Sequence, residues 1–287
     1  MLVYLCNYKN NNIKLFLVGL LGFFLISSGV RANDTTEKVL KVGVVPQFSA
    51  ERITKIWEPI LGHISKKIGV KLQLDGSLDI PSFEKRFNAG EFDIAYMNPY
   101  HAIVANKEAG YEPVLRDVGR KLYGILVAKK DNPIKKVEEL AGKKVAFPAP
   151  NALGAALIPR AEFSTKFNID VEEVYVSSHS SVYLNVILGL AEAGGGVQKT
   201  LQQQPSEIQG QLTIINKTAK VPPHPIVVHP RVDSELSAKL KQAFLEMGET
   251  IEGKELLSKI PMKVIGETSL EDYNVLLDMG LEKFYIQ

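Results

Sequence analysis

Apolar and polar positions along the chain follow, in turn, the periods of short strands and amphipathic helices. A β-branched run over 39–45 ends at Pro46, and apolar residues then recur every three or four positions between Ser49 and Gly69. Ser49 suits a helix cap and Gly69 a helix end. The elements predicted in this part are strands over 39–45, 70–74 and 92–97 and helices over 49–68 and 82–89. Strand, helix and strand in this order indicate parallel βαβ units.

A second unit is predicted between two breaks in composition, Asp131-Asn132-Pro133 and Val221-Pro222-Pro223-His224-Pro225. Gly194-Gly195-Gly196 within it is interpreted as a helix end and turn, because no Lys-Ser or Lys-Thr pair follows to make a phosphate loop. A strand over 226–228 rejoins the first unit. The other predicted elements are strands over 121–129, 144–147, 172–176 and 212–215 and helices over 137–140, 154–167, 182–191, 234–249 and 270–277.

This order of elements predicts two lobes, because the chain crosses into the second unit once and returns once. Lobe 1 is expected to be discontinuous, with residues 33–128 and 221–287, and lobe 2 to comprise residues 129–220. Two crossings of this kind form a two-strand hinge.

Capping residues stand where predicted strands give way to helices. Ser49 is one, Asn98 before Pro99 and Tyr100 is a second, and the run 177–181 with its four serines and His179 is a third. Helix N-termini carry unpartnered amides and the positive end of the dipole, so this edge suits a small anion. A purely structural interpretation, with Ser180 as an N-cap and His179 as a loop residue, stays open here.

The N-terminus predicts export. Lys9 and Lys14 precede an uncharged apolar run over 15–30, and small residues end it, which is typical of a secretory signal over 1–32 cleaved after Ala32. An uncleaved membrane anchor is the competing interpretation. Cleavage also removes Cys6, the single cysteine, and leaves no cysteine for a disulfide or a metal.

The remaining composition excludes several classes of protein. Losing three basic residues with the signal turns a balance of 34 basic and 32 acidic residues into 31 and 32. No basic block interleaved with aromatics is present, which argues against nucleic-acid binding. The five histidines lack ligand spacing, so we expect no metal site and no cofactor. His224 and His229 flank a proline-bounded strand and are interpreted as surface or hinge residues.

The chain resembles the substrate-binding proteins of phosphate, phosphite and phosphonate ABC importers over nearly all of its mature length. The segments that carry the resemblance are Trp57-Glu58-Pro59, Phe92-Asp93-Ile94-Ala95, Asn98-Pro99-Tyr100, Tyr123, Leu140-Ala141-Gly142-Lys143-Lys144-Val145-Ala146-Phe147, and His179 with an acid thirteen residues later at Glu192. The resemblance implies an α/β, type II-like two-lobed periplasmic binding protein. Each lobe is then a mostly parallel sheet flanked by helices, and the ligand cleft lies at the two-strand hinge.

The resemblance also implies where the ligand is held. In that family a loop similar to Ser-Thr-Ser-Gly holds the oxyanion at a helix start, and here Asn151, Ala152, Leu153 and Gly154 occupy it without the hydroxyls. Glu192 is expected near a helix end, facing the ligand, where it accepts a proton or an ammonium group. A packed tyrosine at 123 and a solvated glutamate at 192 are the competing interpretations. The expected ligand-binding residues are Asn98, Tyr100, Tyr123, Asn151, Ala152, Leu153, Gly154, Ser178, His179, Ser180 and Glu192.

The functional expectation is a monomeric periplasmic protein that closes over a small oxyanion and docks to an ABC permease of the inner membrane. A ligand-sensing protein with a signalling partner is the alternative within the binding class. A secreted hydrolase that uses His179 with a neighbouring serine is the alternative from another class, although no Gly-x-Ser-x-Gly segment is present.

Overall fold

Residues 38–131, 134–260 and 262–286 are described by a computed structural model of the protein. They all belong to one unit, Glu37–Gln287. The predicted signal segment 1–32 lies outside the described residues. Within the described part of the chain, no helix has both the length and the apolar character needed to cross a membrane.

The first sheet has six strands in the order β11-β4-β10-β3-β1-β2. Its three parallel strands, β2, β1 and β3, are the ones that the sequence pattern predicts, and the other three join them antiparallel. The strands are β1 (Val39–Val44), β2 (Lys71–Leu74), β3 (Ile94–Tyr96), β4 (Glu112–Asp117), β10 (Ile226–Val228) and β11 (Ile265–Glu267).

The second sheet has five strands in the order β7-β6-β8-β5-β9. Strands β7, β6 and β8 are parallel, and β5 lies antiparallel between β8 and β9. Both sheets are therefore mixed rather than mostly parallel. The strands are β5 (Gly124–Lys129), β6 (Lys144–Phe147), β7 (Glu172–Tyr175), β8 (Ala193–Val197) and β9 (Leu212–Lys217).

Two chain segments connect the sheets, over 118–123 and over 218–225. They pair with each other, since the amide of Leu122 donates to the carbonyl of Val221 at 2.8 Å and the reverse bond is also 2.8 Å. The first crossing precedes β5, whereas the boundary drawn from the sequence at residue 129 follows it. The break at 131–133 follows the exit from β5.

Helices flank both sheets, and several begin at residues that cap them. The Ser49 hydroxyl accepts the amide of Arg52, Asp79 caps the second helix, and Gly69 ends the first one in a left-handed conformation with φ 69°. The longer helices are α1 (Ala50–Ile68), α2 (Ile80–Asn88), α3 (Pro99–Ala109), α4 (Ile158–Glu162, continued at its ends by π-helical turns Leu153–Leu157 and Phe163–Phe167), α5 (His179–Ile187), α6 (Gln198–Gln202), α7 (Ser206–Gly210), α8 (Ser234–Met247) and α9 (Ile251–Lys259). Short 3₁₀ helices span Val137–Leu140, Leu270–Leu276 and Leu281–Lys283.

The triglycine segment corrects the prediction of a turn, because Gly194-Gly195-Gly196 forms the middle of the buried strand β8. Side chains are excluded there by close neighbours. A Cβ on Gly195 would overlap the carbonyl oxygen of Ala155, and one on Gly196 would overlap the Tyr183 hydroxyl. Glycine thus lets the start of α4 and the helix α5 approach this strand closely.

Candidate functional site

The candidate site lies between the two sheets, at the edge where several strands end and helices begin. Asn98 caps α3 after β3, and Ser178 caps α5 after β7. A small cavity of about 20 Å³, which we call the interlobe cavity, is enclosed there. It has room for about one water molecule. Its lining from the first sheet and hinge is Val45, Gln47, Ile80, Asn98 and His224, and from the second sheet Ala152, Leu153, Gly154, Ala155, His179 and Val197.

Glycines hold the start of α4 against the second sheet. A Cβ on Gly124 would overlap the carbonyl oxygen of Gly154, and one on Gly154 would lie 2.9 Å from a Val197 methyl group. In this turn the amide of Ala152 donates to Ala149, and the amides of Ala155 and Ala156 donate to the Ala152 carbonyl. The amides of Leu153 and Gly154 come first in the helix, where an amide has no intrahelical acceptor. The predicted residues Ala152, Leu153 and Gly154 all line the interlobe cavity.

His179 is buried in the wall of the interlobe cavity. Its Nδ1 lies 3.3 Å from the hydroxyl of Thr200, which leaves Nε2 for another partner. Burial lowers the pKa of His179 to about 4, so the imidazole is neutral at pH 7. The Thr200 hydroxyl also donates to the Val197 carbonyl at 2.9 Å. The neutral imidazole of His179 has one N–H, and the tautomer decides whether Nε2 donates or accepts.

His224 forms the opposite wall. It was predicted to be a surface or hinge residue, and it lies in the connecting segment 218–225 but is buried. Its side chain is 5% exposed and stacks on Tyr96 with 5.3 Å between ring centroids. The amide nitrogen of Gln47 lies 3.2 Å from Nε2 and can only donate, so the proton of the neutral ring is on Nδ1. Burial first, and then nearby His101, His179 and Arg120, lower the pKa of His224 to about 3. The interlobe cavity is thus lined by dipoles and apolar groups, with no formally charged side chain.

The structure does not bring Asn151 and Tyr100 to the interlobe cavity. The Asn151 side chain is engaged elsewhere, since its Nδ2 donates to Glu84 at 3.2 Å and to the Ile286 carbonyl at 2.6 Å, and its Oδ1 accepts the amide of Ile286. Tyr100 packs on Tyr285, with ring centroids 5.4 Å apart. Asn98 does line the cavity, although its Oδ1 caps α3 and its Nδ2 donates to the Asn151 carbonyl.

The serine run divides between two surfaces. Ser178, rather than Ser180, caps α5, and its Oγ accepts the amide of Ser181 and lies 2.8 Å from the Ser181 hydroxyl. Ser178 and Ser180 line a separate cavity of about 530 Å³ with Ser49 and Arg52. His179 is the member of the run that lines the interlobe cavity.

Glu192 lies just before the amino end of β8, at the end of the strand away from the interlobe cavity, and not beside the ligand site as predicted. Helix α5 ends at Ile187, and the left-handed Gly189 turns the chain before β8. The Glu192 amide donates to the Lys144 carbonyl at 2.9 Å, at the amino end of β8. Val197, which lines the interlobe cavity, is at the other end of β8, roughly 16 Å away along an extended strand.

Tyr123 lines a second and larger cavity that adjoins the first. This basic cavity has a volume of about 280 Å³ and shares Gln47, Val197 and His224 with the interlobe cavity. The sequence reasoning missed most of its residues, because Gln47, Lys199 and His224 come from three separate segments. The lining is Gln47, Phe48, Arg120, Lys121, Leu122, Tyr123, Val197, Gln198, Lys199, Thr200, Gln202, Gln203, Pro223 and His224.

Known proteins of one kind match this chain. A family model described as the phosphonate, periplasmic substrate-binding protein of ABC transporters matches residues 42–273. The phosphonates-binding periplasmic protein of Escherichia coli is 23% identical over 242 residues, which cover 79% of this chain and 71% of that protein. The phosphate-import protein PhnD of Mycolicibacterium smegmatis is 22% identical over 231 residues, or 73% and 72% of the two chains.

Solved structures share the fold. A binding protein component of an ABC phosphonate transporter from Pseudomonas aeruginosa superposes with a TM-score of 0.79 at 21% identity and covers 86% of this chain and 87% of its own. PhnD1 from Prochlorococcus marinus, in complex with methylphosphonate, gives a TM-score of 0.77 at 16% identity over 87% and 100% of the two chains. The predicted two-lobed α/β fold is confirmed.

Proposed function

Because the chain belongs to the family of periplasmic phosphonate-binding proteins of ABC transporters, we propose that it captures a small phosphonate- or phosphate-type oxyanion for an importer. The observation that carries this proposal is the interlobe cavity, which is lined from both sides of a two-segment hinge by helix-start amides and neutral imidazoles. Groups of this kind donate hydrogen bonds to an oxyanion without an opposing carboxylate.

The ligand enters by separation of the lobes. Lobe 1 comprises β1 to β4 with β10 and β11, lobe 2 comprises β5 to β9, and the paired segments around Leu122 and Val221 are the hinge. The interlobe cavity of about 20 Å³ is smaller than a phosphonate group. The lobes therefore open to admit the ligand and close on it, which is the hinge motion typical of two-lobed binding proteins.

The absence of hydroxyl side chains at the start of α4 lowers the affinity for an oxyanion without a substituent. Ala152 and Leu153 stand where the resembling family has hydroxyl side chains, so backbone amides carry the contact. A hydrogen bond to a charged group contributes about 1.5 to 3 kcal/mol, so each missing hydroxyl weakens binding by about tenfold or more. The side chains with N–H groups in the lining of the interlobe cavity are Gln47, Asn98, His179 and His224.

The protein acts in the periplasm as a binding component and not as an enzyme. Its curated relatives named above are periplasmic or import proteins by their names, and the apolar N-terminal segment serves as the export signal. The ligand-loaded form, as a monomer, docks to an ABC permease of the inner membrane. The Ser178 hydroxyl caps α5 and bonds Ser181 rather than His179, which supports a binding role over a hydrolase that pairs His179 with Ser178.

Thermal unfolding with a panel of anions tests the proposal. A ligand at about 100 times its Kd stabilises the folded protein by about 2.7 kcal/mol, so phosphate, phosphite or methylphosphonate at millimolar concentration raises the melting temperature. Sodium chloride at the same ionic strength is the control for general salt effects, because chloride is not an oxyanion. Equal melting temperatures with all anions would refute oxyanion capture.

A further inference from the structure

The basic cavity has a one-sided distribution of charge. Its lining contains the cations Arg120, Lys121 and Lys199 and no aspartate or glutamate. The Nε atom of Arg120 is 2.6 Å from Asp117, which holds this guanidinium at the rim. Lys217 adds a fourth cation at the edge, since its ammonium lies 6.0 Å from the centre of the Tyr123 ring. A cationic hollow of this kind attracts anions and repels ammonium groups.

The basic cavity opens next to the place proposed for the phosphonate group. Gln47, Val197 and His224 form a wall common to both cavities. Both lobes and the hinge contribute to the lining, through Phe48, Leu122 and Lys199. A substituent on a ligand in the interlobe cavity would have to pass these three shared residues to enter the basic cavity. The volume of about 280 Å³ accommodates a chain of several atoms.

The basic cavity removes the reason to expect an aminophosphonate. Glu192 was the carboxylate expected to accept an ammonium group, and it lies just before the amino end of β8, away from the interlobe cavity. The side chains where the substituent would lie are basic or neutral. Specificity between ligands then follows from the charge of the substituent, because a like charge is rejected and an opposite charge is held.

We propose that the ligand carries a second acidic group, and that Lys121 and Lys199 bind this group in the basic cavity while the phosphonate occupies the interlobe cavity. This inference rests on the proposed function and deepens it. The ligand class is a phosphonate or phosphate monoester with a carboxylate or a second phosphoryl group on a short substituent. Charge-assisted hydrogen bonds from the lysines and the Tyr123 hydroxyl hold the second group.

Isothermal titration calorimetry with matched ligands tests the charge of the substituent. 3-Phosphonopropionate and 2-aminoethylphosphonate differ from methylphosphonate by an acidic or an ammonium-bearing chain. We expect 3-phosphonopropionate to bind about tenfold or more tightly than methylphosphonate, and 2-aminoethylphosphonate to bind more weakly than methylphosphonate. Methylenebisphosphonate tests the case in which the second acidic group is a phosphoryl group.

Variants assign the effect to the basic cavity. Lys199→Gln is expected to weaken 3-phosphonopropionate about tenfold more than methylphosphonate, and Lys199→Glu to reverse the order of the acidic and ammonium ligands. Lys143→Gln changes an exposed lysine near the amino end of β6 and is the matched control, with both affinities preserved.

The outcomes separate the two claims. If methylphosphonate binds and the acidic chain gives no gain, or if Lys199→Gln weakens both ligands equally, the second acidic group is refuted and oxyanion capture stands. If no phosphonate in the panel binds at millimolar concentration, both claims fall together.

Discussion

The side chain of Asn151 forms two hydrogen bonds with the backbone of Ile286. Its Oδ1 accepts the Ile286 amide at 2.9 Å, and its Nδ2 donates to the Ile286 carbonyl at 2.6 Å. Asn151 precedes α4 in the second sheet's half of the protein, while Ile286 belongs to the C-terminal segment. Arg160 on α4 adds a second tie, since it donates to the carbonyl of Phe284 at 2.7 Å. The C-terminal segment thus fixes the loop that presents the helix-start amides to the interlobe cavity.

Asn151→Ala is expected to lower the free energy of unfolding by about 2 to 4 kcal/mol. The substitution leaves the partly buried amide and carbonyl of Ile286 and a carboxylate oxygen of the buried Glu84 without this partner. Urea unfolding measures the loss. Asn88→Ala, on an exposed residue at the end of α2, is the control and stays within about 0.5 kcal/mol. Equal stability of the two variants would show that the hydrogen bonds of Asn151 do not stabilise the fold.

Gly195→Ala is expected to destabilise the protein by about 3 kcal/mol or to prevent folding, because the new Cβ overlaps the Ala155 carbonyl. Gly62→Ala is a matched control, since no atom lies within 4 Å of its added Cβ. That change in α1 should stabilise by about 0.4 to 1 kcal/mol. Thermal unfolding compares the two, and a harmless Gly195→Ala would refute the close packing of α4 on β8.

The buried histidines predict a loss of stability in weak acid. Burial holds the pKa of His179 at about 4 and that of His224 at about 3, both below the unfolded value of about 6.5. The unfolded state therefore binds more protons below pH 6.5. Stability is fully present above that pH and falls as the pH drops towards 4 and 3. Between pH 7 and pH 5 each histidine contributes a loss of about 2 kcal/mol.

His224→Gln should remove its share of this loss, and His63→Gln, on the partly exposed part of α1, is the control. Urea unfolding at pH 7, 6 and 5 gives the slopes of stability against pH. A slope that is the same in the original protein and in His224→Gln would show that His224 is not held neutral by burial.

Ala152→Ser is expected to raise both helix stability and anion affinity. Ala152 is the N-cap of the turn that begins α4, and a serine there accepts an orphan amide, which contributes about 1 kcal/mol. Ala152 also lines the interlobe cavity, so in the ligand-bound form the hydroxyl adds a donor and tightens methylphosphonate binding by about tenfold. Ala141→Ser, at an exposed site, should change neither. Unchanged affinity in Ala152→Ser would place the anion away from this turn.

The capping residues made the functional edge predictable. Ser49 and Asn98 cap helices after parallel strands as expected, because local hydrogen bonds specify such junctions. The strands β4 and β11 escaped prediction. β11 has only three residues, and both strands pair with residues distant in the chain.

The expected sites failed where position depends on packing. The prediction extended α5 to residue 191, whereas the helix ends at Ile187 and Glu192 precedes β8. The close packing of the glycines in β8 depends on residues distant in the chain. His224 was missed because the stack on Tyr96 and the bond to Gln47 join segments far apart in sequence. His179 was found because its place follows from the local strand-to-helix junction.

Calorimetric titration of the protein with methylphosphonate, beside the variants His179→Ala and His63→Ala, tests the central claim most directly. The account predicts saturable binding of one ligand per protein, an affinity at least about tenfold weaker in His179→Ala, and unchanged affinity in His63→Ala. Absence of binding at millimolar ligand, or equal affinity in His179→Ala, would contradict capture of an oxyanion in the interlobe cavity.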